Sequence, residues 1–153
     1  MGFLLWYENG PFGVFIRESI WGYPIVLSSH AVGMATVMGV VVALTFRMLG
    51  LAKGISILAF DKLFIVGWAG FFINLVSGLL LFAGSSTVYF FQTTFQIKIL
   101  SIVIGGILMK VAMNSVRANQ PLGTQKMWAG LCLFFWTLAV VTGRLMAYLI
   151  DNS

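Results

Sequence analysis

Four stretches of this chain are too long and too apolar to pack as a water-soluble fold. They run over residues 24–49, 63–83, 95–116 and 127–150. Each reaches the roughly 20 residues that a helix needs to cross a hydrocarbon layer about 30 Å thick. No water is available there to pair a free N–H or C=O, so each stretch must close its own backbone hydrogen bonds as a helix. The expected fold is all-α: an integral membrane four-helix bundle forming one transmembrane domain over residues 1–153. Short connections make sequence neighbours antiparallel.

Only 8% of the residues are charged and 60% are hydrophobic, against roughly a quarter charged in a soluble domain. Outside the apolar runs only short loops remain. No separate soluble catalytic domain is expected, and any chemistry is expected within the bilayer or at its edge. The net charge of +5 falls mostly in loops beside the spans, where it sets topology. No basic run, RNA-binding motif or zinc-ligand spacing is present, so nucleic acid is not an expected partner. Cys132 is the single cysteine, which leaves no disulfide and no C-x-x-C pair; inside an apolar run it reads as a small buried hydrophobe.

The segment 3–23 is aromatic and apolar but broken by Glu8, Asn9, Gly10, Pro11, Arg17 and Glu18. Met1–Tyr7 has no basic region and too short an apolar core for a cleaved signal peptide, so it is expected to be retained. Asn9-Gly10-Pro11 is a turn followed by a helix start. Phe12, Phe15, Ile16, Ser19 and Ile20 recur at helical spacing with Arg17 and Glu18 opposite. This predicts an amphipathic helix lying in the interface, anchored by Trp6, Tyr7, Trp21 and Tyr23. Between spans two and three, Tyr89, Phe90 and Phe91 sit in an uncharged loop.

Arg47, Lys53, Lys62, Arg117 and Lys126 flank the first and third connections, against Asp61 alone. By the positive-inside rule these connections face the cytoplasm and both termini lie outside. Small residues mark expected helix contacts: Gly70, Asn74, Ser77 and Gly78 in span two, Ala35 and Gly39 in span one, Gly105 and Gly106 in span three. Asn74 is expected to hydrogen-bond across the bundle.

Ionisable groups at membrane depth are rare and raise the question of function. His30, the only histidine, lies about six residues into span one, roughly 9 Å deep. Lys98 opens span three. Arg144 precedes the outer end of span four by a similar depth. The three come from different helices yet belong to one outer layer; Arg47 and Lys110 belong to the inner half. Structural readings exist for each: an interhelical hydrogen bond for His30 and snorkelling for the cations. Two cations beside an imidazole also call for an acid, such as Glu18 or Asp151, or for an anionic ligand. A haem fits economically, with His30 on the iron and Lys98 and Arg144 at the propionates; a lipid phosphate or a quinone head group would fit as well. For a second axial ligand, Met34 shares a helix with His30. Met109 and Met146 come from other helices, and Met109 shares a face of span three with Lys98, Ser101 and Gly105.

The segments ESIWGYPIVLSSHAVGMATVMG, the following FRMLGL and the block SGLLLFAGSSTVYFFQTTFQIKIL resemble a family of small bacterial four-helix membrane proteins of unknown function. The positions that carry this are Glu18, Ser19, Tyr23, Pro24, His30, Gly33, Arg47, Gly50, Gly78, Phe82, Phe95 and Lys98. More distantly the layout is similar to copper-resistance-D-like domains and to membrane protoporphyrinogen oxidases, with a first-helix His, an Arg closing that helix and a Lys opening the third. That resemblance implies a haem b site using His30 and carries over to Arg47 and Lys98. Those proteins place another His late on the third helix, where this chain reads LMKVAMNSV with Met109 and Met113.

The expected function is a haem-b-binding redox or electron-transfer component of the bacterial inner (cytoplasmic) membrane, alone or within a larger complex. The alternative is an accessory subunit without a cofactor, packed on other membrane subunits of a respiratory, photosynthetic or oxidase complex. A transporter or copper-handling role finds no carboxylate, Met-x-x-Met or cysteine cluster in the spans.

Overall fold

The computed structural model describes residues 1–51, 54 and 57–149. Lys53 and Asp151, named above for topology and for pairing, lie outside the described residues. Among the described residues seven helices follow in order: α1 (Gly2–Glu8), α2 (Pro11–Glu18), α3 (Gly22–Leu49), α4 (Ile57–Ala83), α5 (Ser86–Phe91), α6 (Thr93–Arg117) and α7 (Leu122–Leu149). Four of them, α3, α4, α6 and α7, are long and apolar enough to cross a membrane, and the described residues contain no strand. The chain is a multi-pass helical membrane protein.

The long helices outrun the apolar stretches. α4 includes Asp61 and Lys62, and α7 starts at Leu122, directly after Pro121. Hydropathy marks the hydrocarbon layer, whereas a helix continues for as long as its end groups find partners. Asp61 uses this extension to pair with Arg117 at the end of α6. α3 ends with Gly50 in the left-handed region at φ 90°. There the Gly50 N–H donates to Arg47 O and the Leu51 N–H to Phe46 O, the double closure that glycine permits.

The N-terminal segment is two short helices. The turn at Asn9–Gly10 ends α1, and Pro11 starts α2 at a position where its missing N–H costs nothing. The aromatic loop between α4 and α6 also contains a helix, α5. Its first turn is held by Glu8: Oε2 accepts from Thr87 N at 2.9 Å and from Thr87 Oγ1 at 2.7 Å. A carboxylate from 79 residues away supplies the cap, which local sequence patterns do not reveal.

α3 packs chiefly on α4, and α6 on α7; the two pairs meet along α3 and α7. Lipid tails give no hydrophobic drive between helices, so close backbone approach does the work. A Cβ on Gly33 would lie 2.8 Å from Asn74 N and Gly70 O, and one on Gly70 would lie 2.8 Å from Thr36 Cβ. On the other pair, Trp136 lies over Gly105, where an added Cβ would be 3.0 Å from its Nε1. The apolar core fills the middle and one end of the bundle. One cluster holds Val37, Val41, Leu108, Met109, Cys132 and Trp136. The next holds Leu44, Met48, Ala112, Met113 and Ala129. Neither cluster reaches the end at which α3 begins and α7 ends.

Gly33→Val should overpack the α3–α4 contact and destabilise the fold by about 1–3 kcal/mol, read as a lower melting temperature in detergent. Gly39→Ala, with nothing near its added Cβ, should leave stability unchanged or raise it by up to about 1 kcal/mol. Equal melting temperatures for Gly33→Val and the parent would show that the contact is not tight.

Candidate functional site

Where the core stops, the helix pairs part around a cavity of about 830 Å³. Its walls come from α3, α4, α5, α6 and α7, and it is lined by His30, Lys98 and Arg144 together. The helix registers explain this meeting. Thr45 Oγ1 on α3 lies 3.4 Å from Ala129 O on antiparallel α7. His30 is fifteen residues from Thr45, and Arg144 is fifteen from Ala129. Both therefore stand about 22 Å above that contact. On α6 and α7, Trp136 lies against Gly105 and the Lys98 side chain against Gly143, seven residues further along each helix. The same layer thus collects one group from each of three helices.

His30 is buried, with its ring fixed by α4. Its Nδ1 lies 3.1 Å from Asn74 O and 3.0 Å from Ser77 Oγ. A carbonyl oxygen only accepts, so Nδ1 must carry the proton. The Ser77 hydroxyl is free to accept as well, because its own hydrogen goes to Ile73 O at 2.6 Å. Asn74 Nδ2 donates back to His30 O at 3.1 Å, which makes the clamp reciprocal. The neutral ring then has its lone pair on Nε2, which has no hydrogen-bond partner among the described residues. Nδ1–H on a backbone carbonyl with Nε2 free is the arrangement that orients histidine ligands at metal centres. Gly78 makes room for the ring: an added Cβ would lie 3.3 Å from His30 Cε1.

Lys98 is half-buried and reaches over Gly143, where an added Cβ would lie 3.3 Å from both Cε and Nζ. Arg144 is exposed. No described acid lines the cavity: Glu8 is taken up by Thr87, Asp61 by Arg117, and Glu18 is exposed on α2. One wall is aromatic. The Phe82 and Phe95 rings stack at 5.1 Å, with Tyr89 6.4 Å from Phe95. These rings bridge α4 and α6, which share little backbone contact.

Met109 does not join the site. It is fully buried in the apolar core among Val37, Val41, Cys132 and Trp136, and it is absent from the cavity lining. Sharing a face with Lys98 was insufficient, because Met109 lies three turns deeper than Lys98, below the level at which the pairs part. The methionines that line the cavity are Met34, Met38 and Met146. Arg47 lies at the other end, beside a small cleft of about 50 Å³. Sequence reasoning placed Asn74 and Ser77 on the contact face but not as the holders of His30; their spacing of 44 and 47 residues from it left no local signal. Gly143 as the bed for Lys98 was missed for the same reason.

The fold and the site define a multi-pass membrane protein with a buried, oriented imidazole in a cation-lined cavity. No family model, no curated protein and no solved structure matches the chain.

The roof of the cavity depends on Glu8. It binds α5, which carries Tyr89, and lies 3.9 Å from Arg17 of α2, whose Nη1 donates to Gly84 O at 3.2 Å. The Thr87 hydrogen bonds hold the Glu8 carboxyl below its usual value of 4.5. With a folded value below the unfolded one, the clasp contributes in full above about pH 4.5 and is lost as pH falls through the lowered value. Glu8→Gln should therefore lower the melting temperature at neutral pH and flatten its acid dependence. Parallel curves for the two proteins down to pH 3 would show that the clasp is energetically idle.

Proposed function

We propose that this chain is a haem-b-binding component of the bacterial cytoplasmic membrane that takes part in one-electron transfer. The observation that carries the reading is the His30 ring, held through Nδ1–H with its Nε2 lone pair free beside a large cavity. A bare metal ion finds too few donors: no cluster of three His, Cys, Asp or Glu side chains exists among the described residues. A porphyrin brings four nitrogens of its own and needs only an axial base. The cavity volume suits a ligand of that size, and its walls are mostly apolar. Lys98 and Arg144, at the level of His30, would hold the two propionates by charge-assisted hydrogen bonds. When bound, the haem would supply the ferric–ferrous couple; His30 would ligate the iron, Lys98 and Arg144 would neutralise the carboxylates, and the apolar walls would limit access of water.

The exposed aromatic side chains of α1 and α2, including Phe3, Trp6, Phe12 and Phe15, support an interfacial position for these helices. Arg47, Lys62, Arg117 and Lys126 at the opposite end support a cytoplasmic assignment for that end. The site then lies in the outer leaflet, and both termini lie outside.

Purified protein should show a Soret band that shifts on dithionite reduction. His30→Ala should abolish it. Lys98→Ala and Arg144→Ala should each weaken haem affinity about tenfold, the loss of one charged hydrogen bond. A folded protein that stays colourless after haem is added would sink this reading and leave the cofactor-free accessory subunit as the better account.

A further inference from the structure

We infer that Met146 is the second axial ligand; the inference rests on the haem reading above and concerns the same cavity. A ligand opposite His30 must come from another helix, at nearly its height, with a soft or basic donor facing inward. Few side chains can do this. Met34 and Met38 follow His30 on α3 at one and two turns, on the same face, so they stand beneath the imidazole rather than across from it. Met109 and Cys132 are sealed in the core. Tyr23 shares α3 with His30, the Tyr89 ring is stacked with Phe95 at the roof, and Lys98 is committed to a propionate on the reading above.

Met146 meets each requirement. It is on α7, across the seam where the two helix pairs meet, and it lines the cavity. Position 144 is level with His30 by the Thr45–Ala129 register, so Met146 stands about 3 Å higher. That offset is within the reach of a side chain with three rotatable bonds. Val140, Gly143 and Met146 fall on one face at i, i+3 and i+6, and Gly143 is the bed of the Lys98 side chain. Met146 therefore faces the interior of the bundle, on the face against which Lys98 rests. A thioether opposite an imidazole favours the ferrous state and raises the reduction potential relative to a second histidine. It also closes the iron to exogenous ligands.

The test is the optical and electron-paramagnetic-resonance spectrum of the full-length protein in detergent, reconstituted with haem. The parent should be six-coordinate and low-spin, and should bind carbon monoxide slowly or not at all when reduced. Met146→Leu should retain the Soret band, become five-coordinate and high-spin in the ferrous state, and bind carbon monoxide stoichiometrically. Met146→His should restore a low-spin spectrum with a lower potential, which guards against a mere folding defect. Met34→Leu and Met109→Leu should match the parent. A haem-loaded Met146→Leu with an unchanged low-spin spectrum overturns this assignment alone. A parent protein with no Soret band overturns it together with the haem reading.

Discussion

The close contact of α3 with α4 is the interaction on which the remaining architecture depends. Gly33 and Gly70 remove the side chains that would separate the two backbones. Only then can Asn74 reach across to His30 O while its own carbonyl receives His30 Nδ1–H. In hydrocarbon each of these groups would otherwise stand unpaired at a cost of about 1–3 kcal/mol. The small residues and the polar residues on this face are therefore one device: glycine permits the approach, and asparagine and serine make it specific. A purely apolar contact of the same shape could slide; this one has a single register, and that register decides where the imidazole points.

The bundle is divided along its length. In the middle and toward the end where α3 finishes and α7 begins, Val37, Val41, Leu44, Met48, Met109 and Met113 fill the space between the pairs. Toward the end where α3 begins and α7 finishes, α3 presents His30 and α7 presents Gly143, and the pairs no longer interdigitate. The stacked Phe82 and Phe95 rings span the gap between α4 and α6, and α5 is drawn over the opening by Glu8. The cavity thus follows from where bulky side chains stop, with aromatic rings and a capped short helix as props. No backbone irregularity within the long helices is needed to make it.

Much of the helical architecture was legible in the sequence, because hydropathy over twenty residues reports directly on membrane depth. The layer shared by His30, Lys98 and Arg144 followed from simple counting along antiparallel helices. What counting could not give was rotation and partnership. Met109 shares a face with Lys98 yet lies in the core, since only the packing of α6 on α7 decides where that face stops opening into the cavity. Helix α5 has no local signal in its uncharged aromatic segment, because its cap is Glu8, distant in sequence. The Asn74–Ser77 hold on His30 required knowing which residues of α3 and α4 touch. The helices outrun the apolar spans for another reason: Asp61 and Lys62 are polar, but an α-helix extends past the hydrocarbon when its ends are solvated or paired.

Charge balance gives the site its remaining constraint. Lys98 is half-buried near an apolar wall, Arg144 stands on the same level, and no described acid lines the cavity. Like charges in a medium of low dielectric repel far more strongly than in water, so the layer is most stable with an anion between the two helices that carry them. On the haem reading, two propionates supply that charge, and the consequence reaches the iron. Propionates left bare would favour the cationic ferric porphyrin through space; propionates neutralised by Lys98 and Arg144 exert much less of that pull. The apolar walls act in the same direction, since a buried ferric porphyrin carries a net charge and the ferrous form does not. The cations that hold the ligand would therefore also bias its redox state, so that one pair of side chains sets both affinity and potential.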